Sequence, residues 1–173
     1  MPAIIDFRTA AFDLGRVDSS GKHVGHTVYW KLYAIENIVR ILIHSVLAVQ
    51  INPNWWATAA DAKLQGRVTS FKANYAQRPW HSTPGKHEIY YTFLSDLVEL
   101  LRANSNLFLP LIQDIDQWIL RLEQIKLPRN IVGHMNWLSL TDRKRIDVLH
   151  ADIQALLRQL SGPGSTFTAQ IPQ

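Results

Sequence analysis

Cysteine is absent from the 173 residues, which excludes thiolate nucleophiles, thiolate zinc sites and disulfide frameworks and suits a reducing compartment. No uninterrupted apolar run reaches the roughly 18–20 residues needed to span a bilayer, and residues 1–5 are too short and uncharged to begin a signal peptide. A soluble, cytoplasmic protein with no membrane partner is expected. No glycine-rich loop opens a helix after a strand: Gly162 and Gly164 follow the last helical pattern, so neither ATP nor a dinucleotide is expected and no cofactor is predicted. His23 with His26, and His81 with His87, lack a carboxylate at ligand spacing on a common helical face; loop histidines account for them, and no metal site is predicted. Neither sign of charge dominates. The 18 Lys and Arg stand against 14 Asp and Glu for a formal +4, a balance that fits a solvated surface as well as a polyanion partner.

Apolar residues make up 47% of the chain and six tryptophans are present, enough for one packed core and too much for a disordered chain. A single domain over residues 1–173 follows from the length. Val28, Leu32, Ile35, Val39, Leu42 and Val46 recur at four- and three-residue steps, the stripe of a long amphipathic helix that must stop before Asn52 and Pro53. Ala57, Ala60, Leu64, Val68, Phe71 and Tyr75 predict a second helix closed by Pro79. After a loop over 78–86 that carries two prolines and a glycine, Tyr90, Phe93, Leu97 and Leu101 predict a third. Pro110 suits the first turn of a fourth helix through Ile112, Ile115, Ile119, Leu122 and Ile125, which Pro128 interrupts. Ile146, Leu149, Ile153, Leu156 and Leu160 mark the last helix, with Ser139 or Thr141 as its N-cap and Gly162 and Pro163 at its end. Residues 1–25 show no convincing period and are expected to be irregular with at most one short helix or strand, and 161–173 to be a mobile tail. Without alternating strands or internal repeats, the expected fold class is all-α, an antiparallel bundle of about five helices.

Between the last two long helices the chain reads Pro128, Arg129, Asn130, Ile131, Val132, Gly133, His134. Arg129 and His134 are separated by about 140° around a helix, so they share a face only if the segment is short, distorted or read across a helix end. Arg145 and His150 repeat the spacing, but Ile146 and Leu149 between them belong to a core stripe, which makes that pair solvated surface. The first pair has a different context. Asn130 adds a polar donor beside the arginine, and Gly133 removes bulk beside the histidine, which lets a large anion approach. On the first long helix, Glu36 and Arg40 are four apart and can pair, with Tyr33, Asn37 and His44 extending the same polar strip.

These residues, in their order, resemble the HEPN superfamily, whose signature is an arginine, a polar residue often Asn, three spacers and a histidine near the start of the last helical region. Glu36 and Arg40, the Trp55 and Trp56 pair, residues 90–97 and the entry over 138–142 are similar to the subgroup found in the Swt-type endonuclease and in bacterial toxin and phage-defence proteins. The resemblance covers most of residues 27–160. It implies an HEPN-like helical bundle and a metal-independent endoribonuclease that attacks through the 2′-hydroxyl, working as a homodimer whose two motifs share one cleft. It also implies Arg129, His134 and Asn130 as catalytic residues, Glu36 and Arg40 as their support, an RNA substrate, and an antitoxin or larger defence complex as further partners. The residue types suit that chemistry: a histidine takes or gives a proton near neutral pH, and a guanidinium, always charged, offers a planar fork to two phosphate oxygens. Each chain has one such histidine, and base plus acid ask for two.

Each feature also has a plainer account. Arg129, Asn130 and His134 can be an arginine at a helix end, an asparagine cap and a histidine tucked against the bundle. Glu36 and Arg40 can be an exposed ion pair that adds little to stability. Trp55, Trp56 and Trp80 can be core or interface fillers rather than base-stacking surfaces. The alternative function is a non-catalytic HEPN-like module that binds a partner protein, an antitoxin or a nucleotide.

Overall fold

The structure, a computed structural model, describes residues 14–173. Helix α1, Leu14–Val24, runs through a π-helical turn at Gly25–Tyr29 into α2, Trp30–Gln50. The backbone stays right-handed helical across both junctions. A π-turn inserts a residue and rotates every side chain after it, so the apolar stripe of α2 has no continuation in the same phase before Val28. The one short helix allowed for residues 1–25 is α1; residues 1–13 lie outside the described part. Leu32, Ile35, Val39, Leu42, Val46 and Leu47 are all buried, and α2 packs against the fifth and last helices at the centre of the bundle. The span Arg16–Gln50 is long and apolar enough by length and composition to cross a membrane, yet 56% of its most apolar window is buried inside the protein, as the central helix of a bundle requires.

The predicted second helix is two elements, α3 at Trp56–Ala59 and α4 at Ala62–Ala76. Ala60 between them is extended, and the Asp61 carboxylate accepts the Leu64 N–H at 2.7 Å. A side chain that satisfies a free N–H here outweighs the unbroken apolar period. The predicted third helix begins as a 3₁₀ turn at Glu88–Tyr91, passes through an extended Phe93, and becomes α5 at Leu94–Ala103. A single turn, α6 at Ser105–Phe108, precedes Pro110, and α7 at Ile115–Gln124 starts after it. The interruption expected at Pro128 falls instead at Ile125 (φ −97°, ψ 0°), and Pro128 sits in the first turn of α8, Lys126–Gly133. There its missing N–H has no helical partner to lose. Helix α9, Leu140–Leu160, starts at Ser139, whose hydroxyl oxygen accepts the Asp142 N–H at 3.1 Å.

No strand occurs among the described residues; the fold is all-α. Residues 161–173, expected to be a mobile tail, form no helix and make contacts with the bundle. Phe167 packs on the core, the Gln170 N–H donates to Ser45 Oγ at 2.8 Å, and the Tyr90 hydroxyl donates to the Pro172 carbonyl at 3.1 Å. The tail is thus a strap across α2 and the 3₁₀ turn.

Candidate functional site

A cleft of about 360 Å³ runs along α2, between Tyr33, Glu36 and Arg40 on one side and Tyr90, Arg129 and Gly133 on the other. Glu36 organises it. Its Oε1 accepts Arg129 Nε at 2.6 Å and its Oε2 accepts Arg40 Nη2 at 3.1 Å, and the residue is only 7% exposed. The exposed ion pair of the plainer account is therefore not what forms: a buried Glu36 is shared by two partly buried arginines. Arg40 Nη2 also donates to the Thr92 carbonyl at 2.9 Å, and its Nη1 to Asn37 Oδ1 at 3.2 Å. The Phe93 ring lies 6.0 Å from the Arg129 guanidinium and 5.7 Å from that of Arg67, so an aromatic face lies beside both cations.

Arg129 is half-buried at the cleft wall, and with Nε engaged its two terminal nitrogens make no hydrogen bond among the described residues. A side chain at Gly133 would start 3.4 Å from Nη1, so the glycine keeps the open end of the fork uncrowded. Two parallel N–H groups at a cleft edge, held by a buried carboxylate, are shaped for an oxyanion with two acceptor oxygens.

Asn130 and His134 do not line this cleft. Both are exposed. His134 is the C-cap of α8; its N–H donates to the Asn130 carbonyl at 2.9 Å and its carbonyl accepts Asn136 Nδ2 at 2.9 Å. Its imidazole has no partner among the described residues. Asn130 caps nothing with its side chain, and His134 is not tucked against the bundle, so the plainer account of the trio fails for two of its three members. Within one protomer Arg129 turns toward α2 and His134 stands past the end of α8; the separation around the helix is not closed. The exit from α8 is a Schellman turn, with Asn136 N–H donating to the Ile131 carbonyl at 3.0 Å and Met135 N–H to the Val132 carbonyl at 2.9 Å. Met135 occupies its left-handed position at φ 59° and is 91% exposed, a place that glycine usually takes.

The second arginine and histidine spacing builds no anion site: Arg145 pairs with Asp142 at 2.6 Å, and the His150 ring meets Trp30 edge-on at 4.9 Å. Trp55 and Trp56 are core residues, as the plainer account has it, whereas Trp80 is 74% exposed and fills no core. His44 leaves the polar strip of α2. One turn beyond Arg40, it faces a second cavity, where its ring lies 4.7 Å from that of His87. Burial holds both imidazoles below the ordinary histidine value; for His87 the neighbouring His44 and Lys72 push the same way and Glu88 opposes. His87 is therefore more than a loop histidine. Sequence reasoning missed its pairing with His44, and missed Tyr90 in the cleft wall, where Gly85 leaves no room for a Cβ against the tyrosine ring.

No protein-family model, curated protein or solved structure matches the chain. The chemistry available is that of its own residues: a fixed guanidinium fork, a buried carboxylate that holds it, and an exposed imidazole five residues along the chain from that fork.

Proposed function

We propose that this chain is a metal-independent endoribonuclease of HEPN type, active as a homodimer and serving as a toxin or phage-defence effector. One observation carries the proposal: Glu36 grips Arg129 by Nε at 2.6 Å and leaves both terminal nitrogens for the non-bridging oxygens of a phosphodiester. The exposed His134 supplies proton transfer, and a second copy supplies the second proton-transfer group. In the reaction, His134 takes the 2′-hydroxyl proton as that oxygen attacks phosphorus. The partner's His134 protonates the departing 5′-oxygen, and the two Arg129 forks hold the charge of the phosphorane between them. Leu127, Met135 and Leu140, all exposed and all close in sequence to His134, provide apolar surface for the pairing.

The test is digestion of total RNA in excess chelator, with analysis of the ends produced. Wild type is expected to leave cyclic 2′,3′-phosphate and 5′-hydroxyl ends. Arg129→Ala and His134→Ala are each expected to lower cleavage by about 10³-fold or more while the helical spectrum and dimer persist. Glu36→Gln, a change at a positioning residue, should lower kcat with little change in KM. Cleavage at the wild-type rate by both alanine variants, or loss of wild-type cleavage in chelator, overturns the proposal. A stable dimer that binds a partner or RNA and cuts nothing makes the chain a non-catalytic module.

A further inference from the structure

One turn of α2 past the cleft, a second cavity of about 720 Å³ is lined by His44, Trp56, Lys86, His87 and Gln170 of the strap. His44 Nδ1 accepts the Trp55 indole N–H at 3.1 Å, and His87 Nδ1 accepts the Ile89 backbone N–H at 3.1 Å. A neutral imidazole whose Nδ1 accepts must carry its proton on Nε2. Both Nε2–H groups are therefore donors, and neither has a partner among the described residues. His44 is 8% exposed, so its one unpaired polar atom belongs to a side chain more than nine-tenths buried in the cavity wall. The same two bonds remove the rings as metal ligands, since a neutral ring that accepts at Nδ1 has no lone pair at Nε2. Of the charged groups at this cavity, the Glu88 carboxylate is taken by Lys72 Nζ at 2.7 Å, whereas the exposed Lys86 ammonium has no ion-pair partner among the described residues. The two Nε2–H groups and the Lys86 ammonium thus give the cavity three donors, beside the paired Glu88 carboxylate and the polar residues Asn54, Gln170 and Gln173 in its lining.

We infer that this cavity binds a phosphate monoester, with its oxygens on His44 Nε2, His87 Nε2 and the Lys86 ammonium and the rest of the molecule against Trp56. A phosphate monoester presents three terminal oxygens to three donors, and the cavity has the size of a small-molecule site. Such a group comes either from a free nucleotide or from the 5′-phosphate of a nucleic acid end. The site shares no residue with the Glu36 cleft and does not rest on the nuclease proposal.

The experiment is calorimetric titration of the full chain at neutral pH with inorganic phosphate, adenosine 5′-monophosphate, adenosine, and a 2′-deoxydinucleotide with and without a 5′-phosphate, which 2′-hydroxyl attack cannot cleave. The nucleotide is expected to bind and adenosine not to. His87→Asn keeps a side-chain oxygen to cap Ile89 and loses the Nε2 donor; Lys86→Ala changes only the exposed side chain. Each should weaken the nucleotide by roughly tenfold. Binding of the phosphorylated dinucleotide in preference to the mononucleotide identifies a nucleic acid end as the source, and the reverse identifies a free nucleotide. Binding of adenosine as well as its phosphate, no binding of any phosphate, unchanged affinity in both variants, or zinc bound tightly and lost in His87→Asn overturns the inference.

Discussion

Glu36 is a single carboxylate shared by two guanidiniums, and its burial makes it consequential. Exposed ion pairs contribute little, but removing one member of a buried set leaves an unpaired charge that costs about 3–5 kcal/mol. Arg40 would be that charge, because its side chain is only 12% exposed and its Nε already lacks a partner. The buried His44 and the partly buried His87 act in the opposite sense, as groups that fold best uncharged. Their unfolded value is 6.5 and the folded chain holds them below it, chiefly through burial. As pH falls through 6.5 the unfolded state takes up protons that the folded state refuses. Stability that is whole above that pH is therefore lost progressively down to the folded values. Protonating His44 would also set two N–H groups against each other at Trp55 Nε1. Denaturant midpoints are thus expected to fall between about pH 7.5 and about pH 5.5, with a smaller fall in His87→Asn. Equal midpoints in the wild type at both ends of that range would show that neither histidine is held neutral.

At the scale of elements, the end of α8 carries a local cost. Met135 stands in left-handed backbone at φ 59°, which disfavours a residue with a Cβ by roughly 1 kcal/mol or more. Met135→Gly should accordingly raise the melting temperature by about 2–4 °C. If Met135 contributes to dimer contacts, the same change should also weaken self-association, measured by sedimentation across a concentration series. A melting temperature that drops instead would mean the exposed thioether makes contacts that outweigh the backbone cost. The stripes of α2 and α9 are readable in the sequence because an amphipathic period records burial directly. The ends of elements are less so. Asp61 splits an unbroken apolar period by capping, Ile125 rather than Pro128 turns the chain between α7 and α8, and a π-turn conceals the join of α1 to α2. Local hydrogen bonds that a periodic pattern does not register decide all three. The site divides in the same way. The pairing of Glu36 with Arg40 follows from helical spacing, whereas Glu36 with Arg129, and His44 with His87, are meetings of distant segments that packing alone brings about.

For the whole molecule, the decisive geometric fact is that Arg129 on α8 and His134 just past its end do not share a cleft in one protomer. A composite site drawing His134 from both chains of a symmetric dimer would respond to inactive subunits in its own way. In a random mixture of wild type and His134→Ala, only dimers with two wild-type copies would have both the proposed base and the proposed acid. At equal proportions that fraction is about one quarter, whereas sites complete within a protomer would leave about one half. Mixing the two proteins under conditions that exchange subunits, then measuring cleavage against the fraction of variant, is expected to give a curve that falls as the square of the wild-type fraction. Dilution of the wild type below the dissociation constant of the proposed dimer should lower specific activity by the same logic, because a separate protomer would bring only one His134 to the site. A straight line through the mixing series, with activity unaffected by dilution, would place the whole reaction within one chain and require a proton donor other than the partner's His134.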